Sequence, residues 1–227
     1  MHELLEARLK GLQVDLPESE SAIELECRRM FAAYINAYPV ECFVPLSVER
    51  VFSVPIPGTE HIYTGKFDAI VRYTEAEPLF AGKLAILEHK TEKRSSNRNL
   101  PEAWAARSQV SLYKFAAETL YNEPVAHIIL DVLRRPSPKG QEPAVFYRDL
   151  LERTEEQVTD ALNDLVYVAD QIEWLEKKWD TERWPRNTEN CVINRWKCDY
   201  FDVHVGVPDQ NLVQLKYKPA DEYLPGL

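Results

Sequence analysis

Between Gly65 and Tyr113 the chain carries two acids, a lysine, a glutamine and a tyrosine at spacings that can do chemistry. Glu88 and Lys90 lie two apart at the end of the strand-like run Lys83–Lys90, which holds Leu84, Ala85, Ile86 and Leu87. Side chains alternate along a strand, so Glu88 and Lys90 share one face and His89 takes the other. Asp68, in the preceding run His61–Tyr73, can stand beside Glu88. Two carboxylates that close repel unless positive charge lies between them. A divalent cation supplies it, and all-oxygen ligation suits Mg²⁺ or Mn²⁺. Lys90 at the edge of such a site can hydrogen-bond an attacking water or steady charge growing on a phosphate. The chemistry indicated is metal-dependent hydrolysis of a phosphodiester. Gln109 and Tyr113, four apart on a helix, stack on one face from which both can reach DNA or the metal's edge.

The elements that must position these groups are legible as periodicity. Residues 1–12 and Ser19–Tyr38 read as helices, the second ended by Pro39. Val44–Val54, His61–Tyr73 and Lys83–Lys90 read as strands, followed by a charged Ser/Asn loop over residues 91–100. Pro101–Leu120 reads as one Ala-rich helix and His127–Leu133 as a compact strand. Arg134–Glu142 has hairpin-turn chemistry, with Val145–Arg148 as the returning strand. Thr154–Trp179 reads as a long amphipathic helix, with apolar residues from Val158 to Leu175 on its inner face. Thr154 and Gln157 form a capping-box pair at its start. The order predicts an α/β fold whose central sheet mixes parallel and antiparallel strands. It is read as one domain over 1–227, with a Cys/His-containing tail from about residue 184.

Composition bounds the function. A chain of 227 residues can bury roughly 70% of its surface and needs no covalent staples. The net charge of −10 excludes a general nucleic-acid glue and leaves room for a local basic groove. Residues 83–107 supply one: six basic residues stand against three acids beside the candidate site, with Arg94 and Arg107 placed to contact phosphates. No apolar run is long enough to span a membrane, and the start MHELLEARLKGL lacks a signal-peptide pattern. Four cysteines without a regular framework point to a reducing cytoplasm.

Taken singly, the signals are ordinary. Glu-x-Lys usually marks a solvated strand face; the ordered set carries the reading. The side chains of His61, His89 and His127 read as strand packing, and Cys27 as a small hydrophobe on a helix face. Trp174, Trp179, Trp184 and Trp196 read as packing rather than base stacking. Arg134, Arg135 and Lys139 read as a solvated turn.

The segments GKFD (65–68), EHKT (88–91) and QVSLY (109–113) resemble the three central motifs of the RecB-like branch of the PD-(D/E)XK nuclease superfamily, which includes phage and CRISPR-associated exonucleases. The resemblance runs from residue 2 to about 204. It implies a restriction-endonuclease-like core and a DNA exonuclease acting on ends, in a bacterial cell or phage-infected host, with recombination, CRISPR or phage proteins as partners. It implies Asp68, Glu88 and the main-chain carbonyl of His89 as metal ligands and Lys90 as the catalytic lysine. His2, in MHELLEA, matches the family's metal-binding histidine, although the glycine upstream is missing and a longer natural chain stays open. The tail CVINRWKCDYFDVH resembles the family's iron–sulfur segment. It offers Cys191 and Cys198, with His204 where a third cysteine belongs and no early cysteine to match, so an iron–sulfur cluster and a Zn²⁺ site are both open. The rival expectation is a non-catalytic relative that binds nucleic acid or protein on the same scaffold.

Overall fold

The computed structural model describes residues 2–11, 22–92, 100–136, 143–178, 192–193, 196–198 and 201. Two helices, α1 (His2–Leu9) and α2 (Ala22–Ala37), precede three strands, β1 (Phe43–Pro55), β2 (Ile62–Tyr73) and β3 (Leu84–Glu92). Helices α3 (Leu100–Ala105) and α4 (Ser108–Tyr121) lead to β4 (Val125–Arg134), β5 (Val145–Leu151) and α5 (Glu155–Lys178). The strands form one sheet in the order β1-β2-β3-β4-β5. Only β3 and β4 pair in parallel; the other three pairings are antiparallel. A parallel pair cannot be closed by a tight turn, and α3 and α4 fill the crossover. The expected mixed α/β core is therefore present.

Burial follows the position of each strand. β3 is central, and its run Leu84–Leu87 is buried on both faces, as a continuous apolar strand must be. On one face Leu84 and Ile86 pack with Ile70, Ile128 and Leu130 against Val110, Ala116 and Ala117 of α4. On the other, Ala85 and Leu87 join Phe43, Val71 and Tyr73. Leu5 of α1 and Met30, Phe31 and Tyr34 of α2 gather around Leu133 of β4.

The helix expected over Pro101–Leu120 is broken. Arg107 is extended (φ −85°, ψ 133°) and caps α4 without a side-chain hydrogen bond. The Arg153 guanidinium donates to the carbonyls of Ala105 and Arg107, satisfying acceptors that the break exposes. At α5 the capping box forms in both directions: Thr154 N–H donates to Gln157 Oε1 (3.0 Å) and Gln157 N–H to Thr154 Oγ1 (3.2 Å).

The chain divides into two compact units, 1–170 and 171–227, with the boundary inside α5. In the first, Val158 and Ala161 are the buried residues of α5. Val168 is 50% exposed and, in the second unit, Ile172 is 42% exposed, so the inner face expected as far as Leu175 is not core throughout. Trp174, expected to pack, is 53% exposed. Periodicity locates an apolar stripe; it does not say that anything covers it. The second unit also holds a short hairpin of β6 (Val192–Ile193) and β7 (Trp196–Lys197). Among the described residues, no helix is long and apolar enough to cross a membrane.

Candidate functional site

The site begins where two strands part. β2 and β3 pair through Arg72↔Leu84, Val71↔Ala85, Ile70↔Ile86 and Ala69↔Leu87, and the ladder stops there. β3 runs on with β4 alone, from Glu88↔Leu130 to Glu92↔Arg134. In the opening, the backbone N–H of His89 has lost its β2 partner and donates instead to Asp68 Oδ2 (2.9 Å). The carboxylate thus takes the place of a strand carbonyl. Upstream, Gly65 makes room for Phe52: a Cβ there would lie 2.5 Å from that ring. Phe52 in turn stacks on Phe67, beside Asp68.

Glu88 is only 3% exposed. Burial, and then the charge of Asp68, push its carboxyl above the usual range, outweighing the pull of Lys90. Lys90 Nζ stands 2.6 Å from Glu88 Oε1. Glu88 Oε2 is buried with no hydrogen-bond partner among the described residues. A buried acceptor left unfilled is costly and is a place for a positively charged or donating ligand. Among the described residues no group of three or more His, Cys, Asp or Glu side chains gathers as a metal site. The oxygens available are therefore the two carboxylates and the backbone.

Helix α4 faces the opening. The Tyr113 hydroxyl donates to the Lys66 carbonyl (2.9 Å), and its ring meets Phe67 edge to face at 5.2 Å. Burial, and next the charge of Glu88, raise the Tyr113 phenol, while a hydrogen bond with Gln109 and the charge of Asp68 act on it too. The four residues are thus electrostatic neighbours. Tyr113 is fixed by its own bonds, and its ring belongs to the core as well as to the site.

Two further elements border the opening. Glu49 of β1 has φ 51°, a left-handed conformation uncommon for a residue with a side chain, and its carboxylate pairs with Lys66 Nζ. Glu49 above all, and then Asp68 and Glu6, hold the Lys66 ammonium above its ordinary range. Glu6 places α1 at this edge. His2 begins the same helix.

The other face of β3 holds a different cluster. His89 Nδ1 lies 2.9 Å from Asp131 Oδ2 without hydrogen-bond alignment, and the ring is buried. Asp131 accepts from Tyr34 Oη (2.5 Å) and Arg148 Nε (3.3 Å). Arg148 also donates to both oxygens of Glu41 (2.7 and 3.1 Å). Thus His89 reaches the face of Asp68 and Glu88 through its backbone only.

The structure gathers Asp68, Glu88, Lys90, Gln109 and Tyr113 around one opening in the sheet. Arg107 is exposed and adjoins Lys90 through Trp104, whose ring centroid lies 4.6 Å from both cations. Trp104, Glu49 and the Asp131 cluster escaped the sequence reading. Trp104 carried one usable signal, an aromatic four residues after Leu100 in a helix rich in alanine; the others depend on cross-strand neighbours. Arg134 and Arg135 do not form a solvated turn: they pair with Glu92 and Glu26. His127 is packing, buried against Phe80 and bonded to Tyr73 Oη (2.5 Å). Arg94, Lys139, Trp179, Trp184, Cys191 and His204 lie outside the described residues. Cys198 is half-buried.

No family model matches the chain, and no curated protein matches it. Among solved structures it is similar to a Eubacterium rectale protein named "Putative exonuclease", at 13% identity and a TM-score of 0.54, over 99% of this chain and 78% of that one. The two share a fold. A second structure, of a protein called SSO0001, aligns at 17% identity and a TM-score of 0.36 over 66% of this chain and 62% of that one, too slight a likeness to use.

Proposed function

We propose that the chain is a divalent-metal-dependent nuclease that hydrolyses DNA phosphodiester bonds, with Asp68, Glu88 and Lys90 at its centre. One observation carries the reading: a buried glutamate with an unfilled oxygen stands in the field of a second carboxylate and within 2.6 Å of a lysine ammonium, where β2 and β3 part. The donors fit a hard cation, because Glu88 Oε2 is an orphaned acceptor and the pair is short of positive charge. Asp68, Glu88 and the His89 carbonyl would hold Mg²⁺ or Mn²⁺, with His2 on α1 as a further ligand. When bound, the ion would supply charge to offset that of the phosphate as it is attacked.

The chain's own groups divide the remaining work. Lys90, partly solvent-facing while tied to Glu88, orients water at the phosphorus or donates to a phosphate oxygen. Asp68 fixes the backbone of His89 and with it the end of β3. Tyr113 and Gln109 form the wall along which a strand is held. A preference for DNA ends is supported by the name of the Eubacterium rectale neighbour together with the shared fold.

The test is cleavage of end-labelled single- and double-stranded DNA in Mg²⁺ or Mn²⁺, beside a covalently closed circle. Wild-type chain is expected to digest linear DNA and spare the circle, to stop in EDTA and to resume when Mg²⁺ is restored. Lys90→Ala is expected to lose on the order of 10²–10³ in rate, the usual cost of one transition-state donor. Equal cleavage by both proteins, or binding without cleavage, would replace this reading with the non-catalytic one. A metal on Cys191, Cys198 and His204 is a separate proposal: about one zinc per chain, or a brown iron protein, supports it, and metal-free protein removes it.

A further inference from the structure

Two cations share one ring beside the site. Lys90 Nζ and Arg107 Cζ each lie 4.6 Å from the centroid of Trp104. The indole is 5% exposed and packs in the same cluster as Phe67, Ile86 and Val110. It is therefore closed to stacking on a nucleic-acid base. What it offers is the negative face of an immobile ring, which attracts and orients cations. Lys90 uses it while bound to Glu88 Oε1. Arg107 uses it from the N-cap of α4, a helix with no acidic side chain in its first turn. The Arg107 side chain is exposed, and among the described residues no carboxylate pairs with it. An arginine held still on a ring, with its donors unspent among the described residues, is a fork for a phosphate.

We infer that Trp104 is a positioning residue: it seats Lys90 against Glu88 and holds Arg107 as the clamp for a backbone phosphate next to the one cleaved. This deepens the nuclease reading and rests on it. The expected division is that Arg107 contributes chiefly binding, whereas Trp104 contributes both binding and turnover, because it acts through two cations.

The experiment compares Arg107→Gln, Trp104→Met and Trp104→Phe with the wild-type full chain. Binding of a fluorescent single-stranded oligonucleotide is measured by anisotropy across a salt series in EDTA, and kcat and KM are measured in Mg²⁺. Arg107→Gln is expected to weaken binding roughly tenfold, to flatten the dependence on salt by about one phosphate, and to raise KM by more than it lowers kcat. Trp104→Met is expected to show the same flattening and a fall in kcat of at least about tenfold, as Lys90 loses its seat. Trp104→Phe, which keeps a ring, is expected to restore both. A wild-type salt dependence in Arg107→Gln overturns the clamp. Trp104→Phe falling as far as Trp104→Met, at an unchanged melting temperature, overturns the role of the ring. If Trp104→Met does not fold, the Phe variant and Arg107→Gln decide between these outcomes. Wild-type binding without cleavage sinks the nuclease reading while the anisotropy series still judges Trp104; cleavage that is indifferent to these variants sinks the Trp104 assignment alone.

Discussion

Strands β3 and β4 bury a carboxylate on each side of the sheet, and the two are treated in opposite ways. Asp131 is fully buried, and burial pushes its carboxyl up; His89, Arg148 and Tyr34 outweigh that and hold it below the usual range. Both of its oxygens are used. Arg148, the centre of that cluster, is held well above its ordinary value by Glu41, Tyr34 and Asp131 despite burial. Glu88 is almost as buried, but burial and Asp68 prevail over Lys90, its carboxyl is raised, and one oxygen has no partner among the described residues. A carboxylate whose two oxygens are both satisfied from within is structural, since it has nothing left to accept. A carboxylate left short of charge is destabilised by the fold and has a use only when something arrives to complete it. The contrast therefore separates a carboxylate that the fold itself completes from one that it leaves open to a ligand.

The comparison can be broken at its strongest point by Glu88→Gln. The side chain keeps its shape and loses its charge, so cleavage is expected to fall by about 10³. Stability is expected to stay level or to rise at neutral pH, because an ion is removed from a buried site. A Gln variant that unfolds would make Glu88 a structural residue. Asp131→Ala should do the reverse. It takes the acceptor from the Tyr34 hydroxyl and leaves Glu41 alone to offset the buried Arg148, and is expected to cost about 3 kcal/mol, read from the denaturant midpoint. Cleavage per folded molecule should change far less than in Glu88→Gln.

Gly65→Ala tests the support beneath Asp68. The new methyl would press the Phe52 ring, which must shift, at a cost of about 1–3 kcal/mol. Activity should fall with it, as Phe67 and then Asp68 move. A variant of unchanged stability would show that Phe52 swings away freely. The mildest test is pH. In metal-free protein, a carboxyl lowered by folding adds stability above its unfolded value, about 3.9 for Asp, and that stability is lost as the pH falls through the folded value. A raised one contributes below its unfolded value, about 4.3 for Glu, and loses that contribution as the pH rises through the folded value. Denaturation midpoints from pH 3 to 8 should therefore show Glu88→Gln gaining on wild type toward neutral pH, and Asp131→Asn losing ground over the same interval. Parallel curves would mean that the two faces do not differ in this way.

Much of this was fixed by the order of residues along the chain. The alternation that puts Glu88 and Lys90 on one face is a property of any strand, and the four-residue step from Gln109 to Tyr113 is a property of any helix. The apolar run from Leu84 to Leu87 announced a strand, and Thr154 with Gln157 announced the start of α5; both depend on neighbours in sequence. Tertiary structure alone decided the rest. That β2 leaves β3 after Ala69↔Leu87, that Asp68 then takes the His89 N–H, and that Trp104 meets Lys90 are all contacts between segments 14 or more residues apart. The Asp131 cluster reaches from Tyr34 to Arg148, a separation of 114 residues. Local periodicity records which way a side chain points. Whether it meets a partner, and of what charge, is settled only when distant strands and helices close around it.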